Sequence, residues 1–238
     1  MIQPAQPEVP QPAAPLQQLL DGAVHEAYFA AHVSSEEDGT ALSLTVHSSE
    51  APFEHTVEAA TAWMTRAGID GTIAYNESGL IVITMATAAA VHQLIAVLLD
   101  PHIRARTTAT QMAELLQAKD LAGGIATLGA QAIEVTLADD DLDTATGFAA
   151  LLGAPGIDVG LVLHHPDGLL RLAERIKWLV TGVVGTAVYA SAVSGCAHAP
   201  DQITLQLTIK QARVLLQRQA HFSNDAATAA SIERRTTA

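Results

Sequence analysis

Apolar positions along this chain fall into two rhythms, and the changes between them mark its elements. Leu42, Leu44 and Val46 alternate with Ser43, Thr45 and His47, which predicts a strand with one buried face, and a preceding strand over 25–33 completes a hairpin. Phe53, Val57, Ala60 and Met64 then recur about one helical turn apart, so 52–67 is predicted as a helix ended by Gly68. The plan repeats in shorter form. Strands are predicted at 72–75 and 80–85 around the turn 76–79, then a helix over 88–99 that Thr87 caps and Asp100-Pro101 stops. A further helix, 109–119, precedes the pair Gly123-Gly124.

Beyond that pair the pattern predicts a strand over 132–138, an acidic turn at 139–143 and a short helix to Leu152. The run Ile157-Asp158-Val159-Gly160-Leu161-Val162-Leu163 has the length and branched content of a buried strand, 157–164. Leu169, Leu172, Ile176 and Leu179 mark one face of the helix after it. Pro166-Asp167-Gly168 supplies the break between them. A strand at 186–193, a loop to Asp201, a strand at 203–208 and a helix at 209–220 complete this half. Pro4, Pro7, Pro10, Pro12 and Pro15 among Gln and Ala predict a disordered tail over 1–21, and the polar, Ala/Thr-rich 223–238 predicts another. The two folded halves are then 22–122 and 123–222.

These elements predict an α+β fold. Its expected form is a pair of two-layer sandwiches of mixed sheet with helices on one face, with hairpin-helix units in the first half and strand-helix-strand crossovers in the second. Gly68-Ile69-Asp70 and Gly156-Ile157-Asp158 each lead from a helix into a strand, an echo that suggests two related halves. The ending 204–216 resembles the strand-then-helix close of many small bacterial proteins, which implies a bacterial source and names no activity.

Composition narrows the function classes. Twelve Lys and Arg against 25 Asp and Glu give a formal charge of −13, which repels phosphate backbones and anionic lipid. Direct nucleic-acid binding is not expected, and an acidic chain reaches DNA-binding proteins only as a decoy. The one cysteine, Cys196, leaves no internal disulfide and no zinc site built mainly of thiolates, and suits a reducing, cytoplasmic setting. Residues 1–8 lack the basic and apolar regions of a signal peptide. The uncharged run 178–199 is interrupted by Thr181, Gly182, Gly185, Thr186 and Ser191, so it is read as soluble core rather than a membrane span.

Candidate chemistry comes from placement rather than motif. Phosphate-loop, dinucleotide-binding, His-Glu-x-x-His and Gly-x-Ser-x-Gly templates are all missing. If the strands 132–138, 157–164 and 186–193 run parallel, their carboxyl ends share an edge that gathers Asp139, Asp141, His164, His165, Asp167, Cys196 and His198. Imidazole, thiolate and carboxylate can bind metal or move protons. Each residue also has an ordinary role: the aspartates suit a helix start, His164 and His165 point to opposite faces of a strand, and Cys196 is a small loop residue. Arg104, Arg106, Arg171 and Arg175 read as solvated charge, and no cofactor is expected. The leading expectation is a non-enzymatic protein acting through protein-protein contact in an accessory or regulatory role, with a protein partner or as a homo-oligomer. The alternative is a metal-dependent or acid-base enzyme using that edge, with His164 or His165 as ligand or base.

Overall fold

A computed structural model describes residues 13–36, 39–121, 123–139, 141–163, 165–196 and 198–219. The chain divides into two compact units between Arg104 and Ala105, ahead of the boundary expected at 122/123. The fold is α+β, and all neighbouring strands are antiparallel where crossovers suggested a mixed sheet.

The first unit runs α1 (Ala13–Ala27), β1 (Ala31–Ser35), β2 (Leu42–Val46), α2 (Val57–Ala67), β3 (Thr72–Tyr75), β4 (Ile81–Met85) and α3 (Ala88–Leu94), with its sheet in the order β1-β2-β4-β3. The alternation in β2 and β4 puts Leu42, Leu44, Val46, Ile81, Ile83 and Met85 into one core with the helices. Thr56 and Thr87 cap α2 and α3 by accepting hydrogen bonds from the Ala59 and Ala90 amides. The disordered tail expected over 1–21 is contradicted from residue 13 onward. Leu16, Leu20, Ala23 and Ala27 lie three and four residues apart on one face of α1 and pack into this core, which repays the cost of ordering the helix. The same helix takes residues 25–27 out of the strand expected over 25–33. Residues 1–12 lie outside the described residues, as does the tail expected at 223–238.

Asp100-Pro101 does not stop the helix as expected. The chain passes from α3 through a π turn, Ile95–Leu99, into α4 (Asp100–Gln117), and the Asp100 amide donates to the Ile95 carbonyl. Pro101 has no N–H to give, and its ring would meet the carbonyl four residues back in a regular α-helix; one wider turn accommodates both facts.

The second unit continues with β5 (Gly123–Leu128), β6 (Ala132–Asp139), α5 (Asp143–Leu151), α6 (Pro166–Val184), β7 (Tyr189–Val193), β8 (Asp201–Thr208) and a final helix, α7, over 209–219. Its sheet order, β5-β6-β8-β7, repeats that of the first. The register repeats as well. Leu42 faces Met85, Leu44 faces Ile83 and Val46 faces Ile81 in one central pair; Ile133 faces Leu207, Val135 faces Leu205 and Leu137 faces Ile203 in the other. Each unit is therefore one plan, two hairpins whose second strands lie side by side.

Of the strand expected at 157–164, the described residues 157–163 form none. Gly153, Gly156 and Gly160 all take positive φ, and the stretch winds through successive turns closed by Val159–Gly156, Leu161–Asp158 and His165–Val162 backbone hydrogen bonds. Ile157, Leu161 and Leu163 still pack against the core, so the apolar content that suggested a strand is used by a folded loop. Two features hold this loop to α6. Gly168 lets the Val162 carbonyl come so close that a Cβ would sit 1.9 Å from its oxygen, and the Arg175 guanidinium donates to the carbonyls of Ile157 and Val159. Arg175 is thus a clamp rather than solvated charge. With the strand gone, β6 and β7 remain parallel to each other with β8 antiparallel between them.

Candidate functional site

The end of the second sheet where β6 and β7 finish gathers part of the expected group. Asp139, the last residue of β6, is the register partner of Asp201, the first of β8. Like charges opposed across a strand pair repel, and each carboxylate is drawn to a separate backbone amide. Asp139 Oδ2 accepts from Thr144 at the start of α5, and Asp201 Oδ1 accepts from Gly195 at 2.6 Å. Asp139 thereby supplies the cap that Leu142, an apolar residue in the left-handed region, gives no side-chain atom to provide. The other Asp139 oxygen, Oδ1, is buried with no hydrogen-bond partner among the described residues. Cys196 and His198 lie in the β7–β8 turn at this same end, both exposed, with Cys196 bridged to Ala199.

The remaining members are elsewhere or play other parts. His165 and Asp167 do not stand at a strand end: His165 is the N-cap of α6, its Nδ1 accepts from the Asp167 amide at 3.3 Å, and both side chains are exposed. Asp141 is exposed in the turn before α5. His164 lies outside the described residues. Among the described residues no three His, Cys, Asp or Glu side chains are grouped so as to hold a metal ion. Over the described residues the shared edge therefore loses its middle strand and, with it, His165.

Two features escaped the patterning. The first is His102, buried in the first turn of α4 in the first unit. Its ring packs 5.3 Å from that of Phe29, and its Nδ1 lies 3.6 Å from Glu50 Oε2. Burial lowers its pKa below the ordinary 6.5, against the smaller opposing pull of Glu50. The unfolded chain then binds the proton more readily than the folded unit, so stability is full above pH 6.5 and falls as pH drops toward the lowered folded value. Thermal melts at pH 5 and pH 8 should show a wider gap for the native chain than for His102→Gln; equal gaps would exclude this role.

The second is the sheet face turned away from the helices in each unit. In the first, Ser43 and Thr84 share a hydrogen bond at 2.9 Å, flanked in register by Ser34 and Thr72. In the second, Ala126, Glu134, Gln206 and Tyr189 form one row across four strands, and Gly124, Thr136, Thr204 and Ser191 the next. The alternation Glu134-Val135-Thr136 is visible in the sequence, but only the register shows which neighbours share its polar face. No protein-family model matches the chain, and no curated protein has a significantly similar sequence. Among the described residues no helix is long and apolar enough to cross a membrane.

Proposed function

We propose that this chain acts by reversible, non-catalytic contact with another protein, in an accessory or regulatory role. The observation that carries this reading is the near absence of charge on the sheet faces turned away from the helices. In a chain with 25 Asp and Glu, their strand positions hold one carboxylate between them, Glu134, and no Lys or Arg. A face that meets only water is normally dressed with charge of both signs, whereas the centre of a protein interface is depleted of it. The single cysteine supports a reducing, cytoplasmic setting for this role.

Size-exclusion chromatography with light scattering, combined with affinity purification from the source cells under cross-linking, tests it. The expected result is either a mass above that of one chain or a specific cross-linked protein. A strict monomer with no specific cross-link at any concentration would overturn the reading.

A further inference from the structure

Resting on that reading, the chemistry of one face identifies the kind of partner. On the second sheet, three of the chain's exposed large apolar side chains stand on the side away from the helices: Leu128 on edge strand β5 at 40% exposure, and Tyr189 and Val193 on edge strand β7 at 60% and 59%. Between the two edges lie small and uncharged side chains, and one carboxylate, that of Glu134 on β6. Glu134 is half-buried, and among the described residues it has neither an ion pair nor a hydrogen-bond partner. Four strands about 4.8 Å apart make this a face roughly 20 Å across, with the twist usual for a sheet.

We propose that this face docks a flat surface of another protein that places a single lysine or arginine against Glu134, with apolar side chains over Leu128 and Tyr189. Charge complementarity selects this occupant over a second copy. Face-to-face pairing of two copies would bring Glu134 toward its own equivalent with no cation on either face to separate them. A basic side chain instead gives the carboxylate a charge-assisted hydrogen bond as water is excluded around it. The modest area places the contact among weak, transient interfaces rather than permanent ones.

The probe is a yeast-displayed library of a small antiparallel-sheet scaffold with one flat face randomised, selected on the full-length chain. Binders are expected to carry a central Lys or Arg. They should lose at least about tenfold in affinity on Glu134→Gln, the loss expected for a charge-assisted hydrogen bond, and several-fold on Tyr189→Ala. Glu174→Gln on α6 should leave them unchanged. Circular dichroism melts of each variant confirm that it is folded. Binders indifferent to Glu134→Gln and Tyr189→Ala would overturn the surface while leaving protein contact elsewhere on the chain intact. Sedimentation showing a dimer that Tyr189→Glu dissolves would make the second copy the occupant and overturn the basic partner. A monomer with no cross-link in the source cells would remove the underlying reading.

Discussion

Gly168→Ala should lower the stability of the second unit by about 3 kcal/mol or more, a fall of roughly 10 °C in its melting transition. The added Cβ would sit 1.9 Å from the Val162 carbonyl oxygen and 2.6 Å from its carbon, both backbone atoms that cannot swing aside like a side chain. Relief requires the 157–163 loop to lift from α6, which in turn pulls the carbonyls of Ile157 and Val159 away from Arg175. Hydrogen exchange should therefore quicken in that loop before the sheet is affected. The same helix holds its own control. Gly182 is exposed within α6, and a Cβ there meets nothing within 4 Å, so Gly182→Ala should stabilise by up to about 1 kcal/mol through helix propensity. Two identical substitutions of opposite sign, read by thermal melts, separate the close approach at Gly168 from any general effect of alanine. An unchanged melt for Gly168→Ala would sink the account of the loop.

Gln211 should be the least replaceable polar side chain of the second unit. It is buried, its Oε1 accepts from the Thr208 amide at 2.8 Å and from the Thr208 hydroxyl, and its Nε2 donates to Thr186 Oγ1 and to the Ala187 carbonyl at 2.9 Å. The Thr208 hydroxyl oxygen in turn accepts from the Gln211 amide, so the pair closes the start of α7 as a capping box, and the Nε2 bonds tie it to the approach of β7. Gln211→Leu strands several of these partners in a site that excludes water, and should cost about 2–4 kcal/mol. Gln211→Glu separates the acceptor from the donor role. One oxygen can still accept from Thr208, but the other faces the Ala187 carbonyl, so the ionised form is disfavoured and the introduced carboxyl titrates above its ordinary value. A raised carboxyl pKa means stability is lost as pH rises through it, so this variant should be weaker at pH 8 than at pH 5 relative to the native chain. Denaturant melts of both variants at the two values decide it; a pH-independent difference would show that the donor side carries no weight.

The Thr208-x-x-Gln211 spacing is legible along the chain itself, as are the strands expected at 72–75 and 80–85, because these depend on residues close together in sequence. The 157–163 stretch misleads for the opposite reason. Its apolar residues satisfy a strand's composition, but a strand needs a neighbour, and the place beside β6 is taken by β8 from more than sixty residues later. Glycines spaced three and four apart then let the chain curl instead. β5 is hidden because Gly123-Gly124 looks like a linker, whereas an edge strand tolerates glycine. For the candidate edge, Asp139 and the Cys196–His198 turn do come to one end of the sheet, since both follow from where β6 and β7 stop. His165 depended on the missing strand and caps α6 instead. The nearly uncharged faces depend on cross-strand register, which no single segment displays.

The repeated register has a consequence for how the chain reaches its fold. β2 and β6 carry interchangeable apolar rows, Leu42-Leu44-Val46 and Ile133-Val135-Leu137, and each waits for a strand that arrives after an intervening helical crossover. β4 offers Ile81-Ile83-Met85 and β8 offers Ile203-Leu205-Leu207 to equivalent registers, so exchange of these late strands between units is the pairing error this repeat leaves open during refolding. Synthesis from the N-terminus works against that error. β4 is made before β6 exists, so the first sheet can close while its rival has yet to leave the ribosome.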